Sequence, residues 1–465
     1  MKNDARLKVK PKDHAKPKMN ERTQPPHPWV NRAPARLRAV FRGDTPAFLL
    51  IVLAAGFIYL RDPRYFLQPR FWAEEGSLHF AYSFSHPVLP ALFKPQLGYL
   101  NFWPNLATLL ATFVPLELAP LITTLLAFAV QMLPIGLILF SRSPLWQSWG
   151  RKALGAAGVL FVPMTTEAWL NTINSFSYWG VIAFLILLEE PPEVQERRWV
   201  YRALLVLAGL TGTHACFLTP LFLYRAWDEK KVERWRQMLI LLVCTIVQIG
   251  LILTYRGSDD ISQRFTLIGF STLGSIVWTQ SLAPFAIGFN NTYQWSTHLY
   301  GLQTVGLSLF HLWGRSLLVA AVVLFFLVVS NLPFRLRVVY LGSYGLLLLI
   351  PLLFSTVKDN SAFIFTGLAG RLFVAPNILL GWMLLASTKN SKEPGRLAST
   401  RRITALLGGT LLCVGLLWGF GAYWKPWVPA SAWFNWPQEV QAWQADQDYL
   451  LRIQPEGWKV QLVNR

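Results

Sequence analysis

Residues 120–140, PLITTLLAFAVQMLPIGLILF, form an unbroken apolar run that contains no Asp, Glu, Lys or Arg. A helix of about 20 such residues is long enough to cross the roughly 30 Å hydrocarbon core of a bilayer. Several other runs along the chain are equally free of charge. The run therefore predicts a membrane-spanning helix, and its repetition predicts a chain that crosses the membrane many times.

The composition of the 465-residue chain agrees with this class, because 53% of the residues are hydrophobic and only 14% are charged. The 21 tryptophans are typical of a protein whose rings lie at the level of the lipid headgroups. A large soluble helical bundle would need a polar face on each helix, and these helices lack one. We therefore predict an all-α polytopic membrane protein.

The chain is strongly basic, with 43 Lys and Arg against 24 Asp and Glu. A basic excess can indicate a nucleic-acid partner. In a polytopic membrane protein the excess of Lys and Arg instead reflects the membrane topology, because these residues collect in the cytoplasmic loops. We therefore expect membrane lipid as a partner and no nucleic acid.

Placing the basic loops in the cytoplasm predicts about eleven transmembrane helices, with a cytoplasmic N-terminus and an external C-terminus. Residues 1–45 are expected to be a disordered basic tail, 46–422 the transmembrane domain and 423–465 an external tail. Two long external loops are expected at 61–119 and 255–304. The expected spans include 46–60, 120–140, 153–162, 176–188, 238–254, 339–354, 372–386 and 404–420, with another ending near Val329.

Three further apolar segments are assigned by loop parity. Residues 101–114 are too few to span comfortably, and a crossing there would turn the following basic loop outward. Residues 271–289 pose the same parity problem, so both segments are expected to be surface helices on the external side. Residues 203–223 have basic residues on both flanks, which favours a pair of short helices with Gly212, Thr213 and His214 at the outer turn.

The sequence Arg70-Phe71-Trp72-Ala73-Glu74-Glu75-Gly76 follows the first expected span and carries two adjacent carboxylates. Charge withdrawn from water at a membrane surface is costly and therefore indicates a function. Adjacent residues of a helix point about 100° apart, so the two carboxylates cannot both face one substrate. One of the two would serve as a general base and the other as an orienting or structural partner. We favour Glu74 as the base, and Glu75 is the alternative. Alternatively, both carboxylates pair with Arg64 or Arg70 at the surface.

Three short motifs carry a resemblance to a known family. They are Trp72-Ala73-Glu74-Glu75-Gly76, Lys94-Pro95-Gln96-Leu97-Gly98-Tyr99 and Gly370-Arg371-Leu372-Phe373-Val374-Ala375-Pro376, where Leu372 replaces the usual aromatic residue. Together with the topology they resemble the GT-C superfamily of bacterial membrane glycosyltransferases. This resemblance implies an inverting transferase in the bacterial inner membrane. It would move a sugar from a polyprenyl-phosphate donor to an unidentified acceptor at the external face.

Such a reaction needs positive charge at the departing phosphate and polar groups around the sugar. The cationic candidates are Lys94, Arg256, Arg264 and Arg371, each of which could instead extend toward lipid headgroups. The polar candidates are Tyr99 of the second motif, Asn171, Asn174 and His214. The two asparagines could equally cap the flanking helices, and His214 could be a buried structural histidine.

No cofactor is expected. Glu74 and Glu75 could contribute to a divalent metal site, but no His or second Asp cluster accompanies them. The three cysteines, Cys216, Cys244 and Cys413, form no CxxC pair.

Two other function classes remain open. One is a transporter or flippase of lipid-linked saccharide, which would have a central pore or a two-fold repeat. The other is a non-catalytic membrane scaffold. A large external cavity that holds Glu74 or Glu75 above Lys94 or an arginine would favour the transferase.

Overall fold

The structure is a computed structural model, and it describes residues 33–96, 98–163, 167–255, 267–306, 308–353, 360–388, 398–426 and 428–463. The chain divides into two units, Met1–Pro46 and Ala47–Arg465. Every site discussed below lies within the second unit. Arg256 and Arg264, two of the expected phosphate ligands, lie outside the described residues.

The described part of the chain is almost entirely helical. The α-helices in chain order are α1 (Ala33–Arg61), α2 (Arg64–Leu67), α3 (Ala81–Ser85), α4 (Val88–Leu92), α5 (Phe102–Ala111), α6 (Ala119–Leu139), α7 (Trp149–Leu160), α8 (Phe176–Leu188), α9 (Gln195–Leu210), α10 (His214–Phe217), α11 (Thr219–Glu229), α12 (Val232–Thr254), α13 (Phe270–Val277), α14 (Ala283–Ile287), α15 (Phe289–Thr304), α16 (Ser308–Val329), α17 (Phe334–Leu353), α18 (Val374–Ser387), α19 (Ala398–Tyr423) and α20 (Trp436–Ala445). Two π-helical turns cover Glu75–Phe80 and Trp278–Leu282. Two antiparallel pairs of short strands are β1 (Pro95–Gln96) with β2 (Tyr99–Leu100), and β3 (Leu451–Arg452) with β4 (Lys459–Val460).

Five helices of the described chain are long and apolar enough to cross a membrane, which indicates an integral membrane protein. They are Leu116–Leu139, Val232–Thr254, Ser308–Val329, Phe334–Leu353 and Arg401–Tyr423. The first coincides with the apolar run at 120–140. Shorter apolar helices cover Thr45–Arg61, Phe176–Leu188 and Val374–Ser387.

Helices α8 and α18 form the centre of the bundle. All thirteen residues of α8 and all fourteen of α18 are buried. A helix that is apolar on every side can be surrounded by other helices or by lipid, and the burial of every residue shows that other helices surround these two. The ends of these two helices therefore hold fixed positions, and the sites described below lie at those ends.

The structure can be compared with the expectations for residues 203–223 and for the first span. Helices α9 and α11 are joined by residues 211–218, in which Gly212 has a φ of +72° and α10 forms one short turn, so residues 203–223 do contain parts of two longer helices. Helix α1, which contains the first expected span, begins at Ala33 rather than near Pro46.

The segment expected to be a surface helix, 271–289, is packed inside the protein rather than exposed. Helix α13, the following π-turn and α14 are largely buried against α16 and α19. A Cβ added to Gly274 would lie 2.0 Å from the carbonyl oxygen of Gly314, so the backbones of α13 and α16 are in close contact. Small residues permit such an approach between membrane helices. The buried side chain of Gln280 donates a hydrogen bond of 2.7 Å to the carbonyl of Phe363.

The segment expected as an external tail, 423–465, is folded. Helix α20 and the β3–β4 pair pack on the first long loop through a shared apolar cluster. That cluster contains Phe71 and Phe80 from the loop, and Trp436, Val440 and Ile453 from the C-terminal segment. The acidic motif therefore lies between the helical bundle and the C-terminal segment.

Candidate functional site

The acidic motif has an unusual backbone. Ala73 has a φ of +40°, which is uncommon for any residue other than glycine and which recurs at functional sites. The chain then enters the π-helical turn Glu75–Phe80, where the N–H of Ala81 donates to the carbonyl of Gly76 five residues earlier. A π-turn is rare and places residues five positions apart on one face. Glu74 and His79, which have that spacing, consequently share a face.

The C-terminal segment holds this backbone in place. The N–H of Gln454 donates to the carbonyl of Phe71 over 3.0 Å, and its own carbonyl accepts from the N–H of Ala73. Gly76 is required for the same contact, because a Cβ there would lie 2.8 Å from both Phe71 Cβ and Ile453 Cδ1. The sequence motif and a segment almost 400 residues later therefore form one unit.

Glu75 has a structural environment. Its carboxylate is 1% exposed and accepts from the N–H of Trp72 at 3.2 Å, from the N–H of Thr172 at 2.8 Å and from the Thr172 hydroxyl. Burial raises the pKa of Glu75, although these donors oppose the shift. Because both carboxylate oxygens accept hydrogen bonds, Glu75 connects the acidic motif to the loop that precedes α8.

Glu74 has the opposite environment. Its side chain is half-buried, and its carboxylate has no hydrogen bond or ion pair to any described residue. It lines a small pocket of about 60 Å³, which we call the Glu74 pocket. The pocket is lined by Glu74, Leu78, His79, Gln96, Tyr99, Asn101, Ile173, Asn174, Phe176 and Arg371.

The alternative in which both carboxylates pair with Arg64 or Arg70 is wrong. Arg64 pairs with Asp62, with Nη2 and Oδ2 2.7 Å apart. The Arg70 guanidinium lies 5.7 Å from the ring centre of Trp433 and 5.6 Å from that of Phe434. Burial lowers the pKa of Arg70 to about 10.

His79 is a pocket residue that the sequence argument did not identify. It is 2% exposed, and its Nδ1 lies 2.6 Å from Oδ1 of Asn105. The Asn105 amide donates to the carbonyls of Leu92 and Lys94 at 3.0 and 2.8 Å, so its Oδ1 must be the acceptor for His79. The proton of a neutral His79 therefore resides on Nδ1. Its Nε2, which has no partner among the described residues, keeps a lone pair.

Burial keeps His79 in this neutral form. It lowers the pKa of the imidazole to about 4, and the hydrogen bond with Asn105 opposes the shift without cancelling it. Asn101, at the end of β2, adds a second acceptor, because its Oδ1 is buried without a partner among the described residues. The pocket thus combines a carboxylate with two neutral acceptors. These three acceptors suit a ligand that brings hydroxyl groups.

Arg371 supplies the positive charge of the pocket. Its Nη1 lies 2.6 Å from Oε1 of Glu167, and its backbone N–H donates to Oε2 of the same carboxylate at 3.2 Å. The side chain remains 38% exposed. No described residue accepts a hydrogen bond from its Nε or Nη2. One edge of the guanidinium is therefore fixed by Glu167, and the other is available to an anion.

Of the other sequence candidates among the described residues, two line the pocket and three do not. Tyr99 and Asn174 are both lining residues. Asn171 instead braces the loop, since its amide donates to the carbonyl of Glu167 at 2.9 Å and its Oδ1 accepts from the N–H of Asn174 at 3.0 Å. Lys94 is directed away from the pocket, with Nζ 4.6 Å from the ring centre of Tyr82.

His214 belongs to the packing around the pocket. Its ring lies 4.5 Å from that of Phe176 and is not part of the pocket lining. The residue is 5% exposed, and burial lowers its pKa to about 3. Its Nε2, like that of His79, is buried without a partner among the described residues, so its role stays a prediction.

Among the described residues, no three His, Cys, Asp or Glu side chains lie close enough together to hold a metal ion. Glu74 and Glu75 point to different surroundings and do not share a site.

Comparison of the chain with protein-family models, with curated proteins and with solved structures finds no match. The Glu74 pocket is therefore the feature of this protein that bears on function.

Proposed function

We propose that this protein is an inverting glycosyltransferase that moves a sugar from a polyprenyl-phosphate donor to an acceptor hydroxyl at the external membrane face. One observation carries the proposal. The half-buried carboxylate of Glu74 has no partner among the described residues, and it lines the same pocket as the Arg371 guanidinium. A base and an anion-binding cation in one pocket are the two groups that this reaction requires.

The proposed chemistry assigns one role to each group. Glu74 accepts the proton of the acceptor hydroxyl as its oxygen forms a bond to the anomeric carbon. The bond from that carbon to the phosphate oxygen breaks, and the phosphate leaves with the electron pair. Arg371 binds the departing phosphate through the edge not used by Glu167. This scheme uses no metal and no cofactor.

Polar side chains would orient the acceptor substrate. His79 Nε2 and Asn101 Oδ1 have no hydrogen-bond partner among the described residues, so each can accept a hydrogen bond from a sugar hydroxyl. Tyr99 and Asn174 complete the polar wall. A hydroxyl ligand that satisfies both buried acceptors would remove an unfavourable desolvation cost, which favours a saccharide over an apolar ligand.

The pocket is small, about 60 Å³, whereas typical ligand pockets measure roughly 300–1,000 Å³. It is not the large cavity that the sequence argument named as support for a transferase. We propose that it receives only the reacting groups, while the polyprenyl chain lies along the apolar helices beside it.

The proposal includes a topology of about eleven crossings in the bacterial inner membrane, with the N-terminus in the cytoplasm and the C-terminus outside. Basic-loop charge supports this orientation. Phosphatase and fluorescent-protein fusions placed in the loops and after Arg465 test it. A fluorescent C-terminal fusion without phosphatase activity would overturn the odd number of crossings.

The function itself is tested by a transfer assay. Membranes that contain the full chain, and membranes of a deletion strain, are incubated with a radiolabelled polyprenyl-phosphate sugar. Transfer of label that depends on the protein supports the proposal. Flipping of the labelled lipid without loss of its sugar would indicate a flippase instead.

A further inference from the structure

A second and much larger cavity lies at the other ends of the two central helices. Phe176, the first residue of α8, lines the Glu74 pocket, while Leu188, its last residue, lines the second cavity. Arg371 precedes α18, and Ala386 near its end lines the second cavity as well. Thirteen helical residues extend about 20 Å, so the two sites are well separated.

The second cavity has the size and position of a lipid-headgroup site. Its volume is about 770 Å³, within the range of ligand pockets. It is lined by the turn Ser330–Pro333, which joins two helices that are candidates for spanning the membrane, Ser308–Val329 and Phe334–Leu353. Such a turn lies at the level of the lipid headgroups.

The charge of the lining selects anions. Four arginines and one acidic residue, Glu190, contribute to it. The arginines are Arg225, Arg335, Arg337 and Arg401. Arg225 is buried and paired with Glu229, so the other three supply the charge for an anion. Arg337 is fixed in the wall because it donates to the carbonyls of Leu332 and Ser330 at 2.7 and 2.6 Å. Arg335 pairs with Asp228 and is 45% exposed, which leaves its guanidinium accessible. Guanidinium groups bind phosphate with two parallel hydrogen bonds.

Two buried polar groups of the lining have no partner among the described residues. The Tyr340 hydroxyl belongs to a residue with no exposed surface, and Oδ1 of Asn331 is also buried. The Asn331 amide already donates 2.6 Å to the Thr404 hydroxyl, so only its oxygen is left. An unsatisfied buried polar group costs free energy, and a bound headgroup can remove that cost.

We propose that this cavity binds the phosphate-bearing headgroup of an anionic membrane phospholipid. The phosphate would lie among the arginines and accept from the Tyr340 hydroxyl, while a headgroup hydroxyl would donate to Asn331. The remaining wall is largely apolar, with Leu145, Leu188 and Leu336 among its members, and it fits the glycerol and upper acyl region. The apolar wall and the adjacent membrane helices favour a lipid over a soluble phosphate. This site is independent of the glycosyl-transfer proposal.

The test uses the full chain purified in a neutral detergent and analysed by native mass spectrometry. Dioleoylphosphatidylglycerol, dioleoylphosphatidylcholine and inorganic phosphate are titrated separately. We expect the anionic lipid to bind about tenfold more tightly than phosphatidylcholine. Arg335→Gln and Tyr340→Phe should each weaken binding of the anionic lipid by about three- to tenfold.

The matched control is Arg236→Gln. Arg236 is 55% exposed and has one carboxylate partner, Glu233 at 3.9 Å, but it does not line the cavity. Its replacement should leave lipid binding unchanged. Equal binding of the two lipids would overturn the proposal, as would an equal loss in Arg236→Gln and Arg335→Gln. Displacement of the lipid by micromolar inorganic phosphate would overturn the lipid assignment. If Arg335→Gln does not fold, Tyr340→Phe decides the question.

Discussion

The Nδ1 atom of His79 lies 2.6 Å from Oδ1 of Asn105, and this hydrogen bond determines which nitrogen of the imidazole remains for the Glu74 pocket. Because both protons of the Asn105 amide go to backbone carbonyls, its oxygen can only accept. His79 is thus a neutral acceptor placed five residues after the proposed base. The bond links the acidic motif to helix α5, which the sequence argument treated only as a surface helix.

The first prediction separates the two nitrogens of His79. Glutamine can place an acceptor near the position of Nε2, whereas asparagine preserves the donor to Asn105 and loses the acceptor. We expect His79→Asn to lower transfer by about tenfold, and His79→Gln to retain more of it, because a lost hydrogen bond contributes roughly 1–1.5 kcal/mol. Initial rates with both variants in the transfer assay measure this difference. Equal rates in the two variants would assign His79 to packing alone.

The second prediction concerns pH and stability. The folded-state pKa of Glu75 is raised above its ordinary value of 4.5, so the folded protein holds this proton to higher pH than the unfolded chain. Stability from this group is then present at low pH and is lost as pH rises through the folded pKa, by up to about 1.4 kcal/mol per pH unit.

Glu75→Gln removes this titration. Between pH 5 and 8, the melting temperature of the wild type should fall relative to that of the variant. Thermal unfolding of both proteins in the same detergent measures the difference. Parallel curves across that range would contradict a raised pKa at Glu75.

The third prediction compares two cations that the sequence could not distinguish. Arg371 lines the Glu74 pocket, whereas Lys94 lies over the ring of Tyr82. Arg371→Gln should lower transfer by about ten- to a hundredfold, since a charge-assisted bond to phosphate contributes roughly 1.5–3 kcal/mol. Lys94→Gln is the matched control and should keep a rate close to that of the wild type. The reverse order of effects would place the phosphate site near Lys94.

The fourth prediction tests the contact between the acidic motif and the C-terminal segment. Gly76→Ala would force a Cβ to within 2.8 Å of Phe71 and Ile453, and overpacking of this kind costs about 1–3 kcal/mol. Gly136→Ala is the control, because a Cβ there meets no atom within 4 Å and alanine favours the helix. Melting temperatures should fall in the first variant and stay level or rise in the second. A stable Gly76→Ala variant would contradict the close contact.

The apolar pattern predicted the helical membrane class and several helices almost to the residue. Helix α8 occupies Phe176–Leu188, the expected bounds, because the apolar run that follows Ser175 ends at the charged residue Glu189. Loop parity alone assigned the segment 271–289 to the surface, and parity carries no information about packing. In the structure Gly274 and Gly314 allow α13 to contact α16 closely.

The candidate site was found in part from the sequence, because the acidic pair stands out beside an apolar run. His79 was missed for a geometric reason. In an α-helix, residues five positions apart point about 140° away from each other, and only the π-turn brings His79 next to Glu74. Gln454 could not be found either, because nothing in its local sequence indicates a hydrogen bond to residues near position 72.

The most direct measurement is the transfer rate of Glu74→Gln beside that of Glu75→Gln, each corrected for the amount of folded protein in the membrane. Glutamine preserves the size of the side chain and removes the base, so loss of Glu74 should lower the rate by about 10²–10⁴. Glu75→Gln should lower it much less and should show its main effect in thermal stability. Wild-type transfer by Glu74→Gln, or a larger loss in Glu75→Gln, would contradict the assignment of Glu74 as the base.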